Sequence, residues 1–445
     1  MTDLYETQRA MRAMRKAAMQ RGVIALLDIG TFKIACLVLR FDGSDEGLRD
    51  AESLGPLAGQ ASVRVIGAAT TRSRGVRFGE IDAMAETERA IRTAVQAAQK
   101  MANTRVDHVI ACFSGASPRS YGLAGEVEIG GAHVTEADVG RVLAACDMPN
   151  IGAGREVLHA QPVNFAIDHR TGLADPRGHV GERLAADMHM LTVDDAAIQN
   201  LIYCIRRCDL ELAGIASSAY VAGISSLVED EQELGSACVD MGGGATGVSI
   251  FMKKHMIFAD AVRLGGDHVT RDIAAGLQVP VTVAERIKTF HGGVHATGMD
   301  DREMIELEGD SGDWEKDRRQ VSRTELIGIM RPRVEEILEE VRAILDAAGF
   351  EHLPAQQIVL TGGASLIPGL DGLAARILGQ NVRLGRPLRV QGLPQAATGA
   401  GFSAVVGLAC FAARPQDEWW DFEVPQDRLG GRSFKRAIRW FRENW

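Results

Sequence analysis

Asp240-Met241-Gly242-Gly243-Gly244-Ala245-Thr246-Gly247 joins two apolar runs, 237–239 and 248–251, and its reading decides the fold. Three glycines directly after a strand-like run leave backbone N–H groups open to a ligand, because no side chain stands in the way. The aspartate closing the run offers a carboxylate that can hold Mg²⁺ through its water shell, since Mg²⁺ keeps most of its waters. Taken alone this is ordinary turn chemistry. A turn of the same build lies far upstream: Asp28-Ile29-Gly30-Thr31-Phe32-Lys33 follows the apolar run 23–27 and leads into another at 34–39. There Thr31 can donate a hydroxyl and Lys33 can neutralise phosphate charge. A third turn, Thr361-Gly362-Gly363-Ala364-Ser365, follows the run 358–360. Three such turns, each after an apolar strand, are far more specific than any one of them. They predict two related halves closing on one polyphosphate.

The rest of the chain agrees with an α/β protein of that size. A length of 445 residues requires two or more domains. A hydrophobic share of 46% beside 24% charged residues is that of a folded soluble body. The net charge of -10 argues against wholesale nucleic-acid binding. The seven scattered cysteines suit a reducing compartment, and Cys204 and Cys208, four apart on an expected helix, read as core rather than as a metal site. No secretion signal is expected in the basic, Met-rich segment 1–20, and no apolar run is long enough to span a membrane. Any membrane contact is expected to be peripheral.

Helical spacing is expected over 82–101, 194–208, 267–277 and 324–348, with a connecting stretch at 213–228 and an apolar helix at 403–412. Residues 42–61 and 308–320 read as polar loops. After Arg414 the composition changes: 414–431 is acidic and reads as a linker, and 432–445 is basic and aromatic. At 100° per residue Phe434, Ile438, Phe441 and Trp445 share a narrow face. Lys435, Arg436, Arg439 and Arg442 gather opposite, with Trp440 among the same residues, as an interfacial membrane helix needs. Partly inserted apolar side chains at about 1–2 kcal/mol each, and basic residues at roughly 1 kcal/mol apiece near anionic lipid, anchor one tail reversibly and an array of tails firmly.

The three turns, in this order, resemble the phosphate-1, phosphate-2 and adenosine motifs of the actin, Hsp70 and sugar-kinase superfamily. The segment Leu264-Gly265-Gly266-Asp267-His268 resembles its post-phosphate-2 signature, and Ala284-Glu285-Arg286-Ile287-Lys288 the helix that meets adenine and ribose. Within the superfamily the chain resembles the FtsA family of bacterial cell-division proteins from about Arg21 to Trp445. The most telling stretches are Cys112-Phe113-Ser114-Gly115, Glu128-Ile129-Gly130-Gly131-Ala132-His133-Val134-Thr135 and Asp175-Pro176-Arg177-Gly178-His179-Val180-Gly181. His159 in that region reads as a structural histidine, for want of a nucleophile to pair with.

The resemblance implies an actin-like ATPase fold of two lobes around ATP and Mg²⁺, with an FtsA-type 1C insert and a C-terminal amphipathic helix. It implies subdomain 1A over 21–104 and 182–216, 1C over 105–181, 2A over 217–262 and 346–413, and 2B over 263–345. The extension 1–20 precedes these; the linker 414–431 and the membrane helix 432–445 follow. It assigns Asp28 and Asp240 to the metal through water, and Asp240 as the remaining residue to orient a water. It assigns the nucleotide's phosphate side to Gly30, Thr31, Lys33, Gly242, Gly243 and Gly244, and gives Thr246, Gly265 and Gly266 as further nucleotide-binding residues. Base and sugar go to Glu285 and Lys288, and the adenosine pocket to Gly362, Gly363 and Ser365. Hydrolysis is expected to be slow, because 213–228 holds no Glu or Gln. Arg319 and Arg333 are placed at the site for the FtsZ C-terminal peptide. The further expectations are self-assembly into filaments, an anionic membrane surface, later divisome proteins at 1C, and residence at the septum on the cytoplasmic face of the inner membrane. Two alternatives stay open, a pilus-assembly scaffold of FtsA-like type and a phosphoryl-transfer enzyme of the same fold. The role of 1–20, disordered or in weak lipid contact, stays open too.

Overall fold

A computed structural model of the chain describes residues 2–20, 22–42, 62–307 and 319–422. The order begins with α1 (Thr2–Gln20), β1 (Val23–Ile29), β2 (Lys33–Asp42) and β3 (Ser62–Arg72). A small hairpin, β4 (Val76–Arg77) and β5 (Glu80–Ile81), leads to α2 (Met84–Ala102) and β6 (His108–Phe113). An insert follows: β7 (Arg119–Glu128), α3 (Glu136–Ala144), β8 (Arg155–Ile167), β9 (Arg170–Leu173) and β10 (Arg183–Asp194). Then come α4 (Asp195–Arg207), β11 (Glu211–Ser217), α5 (Ser218–Ser226) and α6 (Glu229–Leu234). The second half runs β12 (Ser236–Met241), β13 (Thr246–Met252), β14 (His255–Val262), α7 (Gly266–Leu277), α8 (Val281–His291), β15 (Met304–Leu307), β16 (Arg319–Ser322) and α9 (Arg323–Ala347). It closes with β17 (Gln357–Thr361), α10 (Leu370–Leu378), β18 (Asn381–Leu384) and α11 (Ser403–Ala413).

The two halves repeat one sheet. Their strand orders are β11-β6-β1-β2-β3 and β14-β13-β12-β17-β18. In each, an antiparallel meander of three strands has its first strand continued by two parallel strands. Parallel neighbours need crossover helices on the faces, so β1 and β12 are covered on both sides and read as unbroken apolar runs. Residues 24–27 are fully buried, as are Ala237, Cys238 and Val239. Between the sheets lie α5 and α11. Every residue of α11 is buried, as a helix apolar all round must be. Gly407 lets the two backbones meet, since a Cβ there would collide with the Val221 carbonyl.

The insert is a four-stranded antiparallel sheet, β7-β10-β8-β9, with α3 on one face and its own apolar cluster. Its boundaries differ from the expected 105–181. β6 pairs in parallel with β1 and so belongs to the first lobe's sheet, whereas β10, running to Asp194, is an inner strand of the insert. A one-sided alternation cannot reveal which sheet a strand joins.

Both ends of the described residues pack against the body. α1 buries Gln8, Met11, Arg15 and Ala18 along one stripe against the first lobe, so the extension is, over Thr2–Gln20, a docked helix. The segment 415–422, expected as the start of a linker, is a strap. Trp419, Trp420 and Phe422 are buried in the insert's core. Three aromatics at about 4 kcal/mol each roughly offset the ordering of eight residues at about 1.5 kcal/mol each. Polar contacts decide the balance. The Glu418 carboxylate accepts from His159 Nδ1 (2.9 Å) and Ala160 N (3.2 Å). Ser217 N donates to His159 Nε2 at 3.2 Å, which fixes the tautomer with the proton on Nδ1. Arg12 of α1 pairs with Asp417 at 3.2 Å and with Asp421. Gln416 bridges the lobes: Arg12 Nη1 of α1 donates to its main-chain carbonyl (3.4 Å), Tyr220 OH of α5 donates to its Oε1 (3.2 Å), and its Nε2 donates to Lys254 O in the β13–β14 turn (2.6 Å).

Candidate nucleotide site

Each sheet ends its first strand in a carboxylate and a glycine turn. Gly30 N donates to Lys33 O at 3.2 Å, and Gly242 N to Ala245 O at 3.0 Å, so both hairpins close with the same bond. Asp28 pairs in register with Cys112 of β6, and Asp240 with Thr361 of β17. The two turns face one another across the lobes. A Cβ on Gly244 would collide with the Thr31 side chain, and one on Gly243 would stand 3.1 Å from Phe32 Cβ and from Asp267 Oδ1. The first two residues of α7 donate to the second turn: Gly266 N to Gly242 O (2.9 Å) and Asp267 N to Gly243 O (2.8 Å). With those carbonyls committed and Gly242 N closing the hairpin, the amides of Gly243 and Gly244 are the ones left for phosphate oxygens. Gly79 N donates to Thr31 Oγ1 at 3.0 Å and holds the first turn from the other side.

The adenosine-type turn lies against the second carboxylate. Gly362 has φ +85°, and a Cβ there would stand 2.5 Å from Asp240 Oδ1, so both backbone sterics and space require glycine. Ser365 Oγ donates to Gly362 O at 2.8 Å, and Gly362 N donates to Ala400 O at 3.2 Å. Thr246 Oγ1 donates to Leu264 O at 2.9 Å, tying β13 to the segment before α7. Gly363 faces open space, with nothing within 4 Å of where a Cβ would stand.

Electrostatics brings the two halves into one site. Burial pushes the Asp28 carboxyl up to about 6, opposed by the Lys33 ammonium and by the Cys112 thiol, which donates at 3.6 Å. Asp240 is pushed up to about 7 by burial and then by the negative charge of Asp28, with Lys33 opposing. Lys33 itself is lowered by burial and raised by both carboxylates. Two carboxylates that repel each other beside open backbone amides suit a hydrated dication carrying phosphates, so these residues fit Mg²⁺ and ATP. Lys33 Nζ lies 3.2 Å from the centroid of the Phe402 ring.

Glu285 and Lys288 sit on α8 beside the same edge. Lys288 Nζ donates to Gly266 O (3.1 Å), contacts Thr270 Oγ1 (2.7 Å) and pairs with Glu285 (2.7 Å). Gly265 packs against the Gly242 and Gly243 carbonyls. The two expected peptide-binding arginines are not loose. Arg319 donates to Leu277 O, and Arg333 pairs with Asp272 at 2.6 Å and with Glu336, so both fasten β16 and α9 to α7. The tail residues Phe434, Lys435, Arg436, Ile438, Arg439, Trp440, Phe441, Arg442 and Trp445 lie outside the described residues.

Several contacts at the cleft had no sign in the sequence. Cys112 reaches Asp28 only because β6 runs parallel to β1, and Phe402 reaches Lys33 only because α11 crosses between the sheets. Across the cleft, Phe78 of the β4–β5 turn stacks on His268 of α7, with ring centroids 5.6 Å apart, and Arg77 and Arg263 lie over the Phe78 ring. Behind it, Ser120 of β7 donates to Ala259 O and accepts from Ala259 N, both at 2.8 Å, so the insert grips the second sheet's edge. No helix among the described residues is long and apolar enough to cross a membrane.

Comparison with known proteins follows the same division of the chain. A family model described as cell division protein FtsA matches residues 237–407, and one described as the SHS2 domain inserted in FTSA matches 115–192, the span that the four-stranded sheet marks out. The cell division protein FtsA of Rhizobium meliloti (strain 1021) is 38% identical over 431 residues, covering 95% of each chain. Among solved structures, the PilM–PilN type IV pilus biogenesis complex is similar with a TM-score of 0.58 at 14% identity, over 88% of this chain and 99% of that one. MreB5 of Spiroplasma citri bound to ADP is similar with a TM-score of 0.52 at 13% identity, over 88% and 96%. At such identities the structures speak for the fold alone, which is actin-like.

Proposed function

The chain belongs to the FtsA family of cell division proteins, and from that premise we propose that it binds ATP with Mg²⁺ between its lobes, polymerises, and ties the FtsZ ring to the cytoplasmic membrane face at the septum. The observation that carries the reading is the match along nearly the whole chain, insert included, to a relative named for cell division.

Within this reading Asp28 and Asp240 hold the metal's waters, the turns at Gly30 and Gly242–Gly244 receive the phosphates, and Lys33 neutralises them. Gly265 and Gly266 line the phosphate edge beside Lys288 and Glu285, and Gly362, Gly363 and Ser365 border the adenosine side. The bound cation neutralises the polyphosphate and the paired carboxylates together. Nucleotide acts as a ligand that shifts lobe populations, and turnover is slow, since α5 carries no acidic or amide side chain to place a water. Asp240 is the group left to help orient a water. The tail 432–445 supplies the membrane contact, the surface of α7, β16 and α9 the FtsZ peptide contact, and the insert the later divisome contacts.

Imaging on vesicles of anionic phospholipid with ATP and Mg²⁺, with and without FtsZ, tests the whole. Lipid-bound filaments that capture FtsZ are expected. Removal of 432–445 is expected to abolish vesicle co-sedimentation; undiminished binding points instead to a scaffold of the pilus-assembly kind, which would need no such tail. Rapid turnover of a sugar or polyphosphate would favour a phosphoryl-transfer enzyme.

A further inference from the structure

Lys33 does not hold its place in the cleft unaided. Its ammonium rests on the ring face of Phe402, 3.2 Å from the centroid. The ammonium also lies beside Gly401, where a Cβ would make ordinary contact with Nζ at 3.4 Å. The ring is itself fixed. Residues 400–402 form a 3-10 turn running into α11. Ala400 O accepts from Gly362 N at 3.2 Å, and Ser403 Oγ lies 2.6 Å from Thr361 Oγ1. Phe402 is therefore built onto the turn that follows β17 in the second sheet, while Lys33 opens β2 in the first.

We propose that Phe402 is a positioning residue for nucleotide: its π face holds the Lys33 ammonium at the cleft, aimed at the phosphate chain. The proposal rests on the nucleotide reading above. A lysine side chain has four rotatable bonds and loses much freedom when fixed on a ligand. A ring quadrupole in a desolvated cleft fixes the cation before the ligand arrives. Phosphate binding then costs less ordering, and the two carboxylates keep a nearby positive charge while no metal is bound. Because the ring belongs to the adenosine side, the phosphate grip of the first sheet depends on the placement of the second.

Two measurements on the full chain test this. In nucleotide-free protein carrying ¹³C-labelled lysine, the Lys33 ε-methylene protons are expected upfield of the ordinary lysine position by ring current, and are identified by their loss in Lys33→Arg. In Phe402→Leu they are expected to return to the ordinary position; in Phe402→Tyr they stay upfield. In titrations with Mg²⁺ and ATP, Phe402→Leu is expected to bind about tenfold more weakly and Phe402→Tyr near the wild-type affinity. Phe402→Met, of similar bulk, carries the same expectation should leucine loosen α11. A wild-type chain without the upfield shift, or leucine and methionine variants that bind as the wild type does, overturns the positioning role alone. A chain that shows the shift yet binds no nucleotide overturns the nucleotide reading and the role with it.

Discussion

Asp28 and Asp240 end strands that match pair for pair, but the two carboxylates have different neighbours. Asp28 takes a hydrogen bond from the Cys112 thiol and faces Lys33 along its own hairpin. Asp240 lies under Gly362, with no room for a side chain between them, and its charge is opposed by Asp28 as well as by burial. The first turn is braced by Gly79 from the β4–β5 hairpin, the second by the opening amides of α7. The strands and their closing bonds are thus a repeated frame, and the polar setting of each carboxylate comes from segments outside the repeat. Equivalent positions need not do equivalent work.

Substitutions in pairs break or sharpen that comparison. The largest effect is expected for Asp240→Asn, with affinity for Mg²⁺ and ATP falling about 100-fold, and Asp28→Asn falling less. Both folded-state values lie above the ordinary aspartate value, so ionisation costs the ligand-free fold stability: the cost is absent below about pH 4 and full above about pH 7. Asp240→Asn is therefore expected to raise the ligand-free melting temperature at pH 8 by about 2 °C, while Asp28→Asn raises it less. Equal effects in calorimetry would erase the distinction. For the same reason wild-type affinity is expected to fall as pH drops from 8, first through about 7 and then through about 6.

The turns themselves come next. Gly244→Ala drives a methyl into Thr31 and is expected to weaken nucleotide binding about tenfold, whereas Gly30→Ala, whose Cβ would stand 3.0 Å from Lys33 O, costs about threefold. Equal losses would mean that the turns do not bear on each other. Smaller again is Arg12→Gln, which removes the strap's ion pairs from α1. It is expected to cost about 1 kcal/mol, read as faster proteolysis within 415–422. The smallest effect is expected for Arg319→Glu with Arg333→Glu, about threefold in FtsZ-peptide affinity, because both side chains are already engaged with α7. An unchanged titration would remove that surface from the reading.

The glycine turns were legible because their requirement is local: a phosphate needs open amides, and only glycine leaves them open. The insert was legible through resemblance, although its edges were not, since β6 and β10 are told apart by pairing rather than by composition. The strap was not legible at all. Gln416-Asp417-Glu418 looks like a solvated acidic run, and its partners His159, Tyr220 and Arg12 are far away in sequence. The Lys33–Phe402 contact escaped for the same reason. Acidic character spoke for solvent, and tertiary contacts overruled it.

The strap also fixes a point of departure. Whatever follows Phe422 leaves from beside the insert, not from the end of α11, and the nine residues 423–431 can reach no further than about 30 Å. A pull on Phe422 would be borne first by Glu418 and Arg12, and then by Gln416, whose carbonyl accepts from Arg12 of α1 and whose Nε2 holds the β13–β14 turn. The strap thereby fastens α1 on the first lobe to an edge turn of the second sheet, so that dislodging it would loosen both attachments at once.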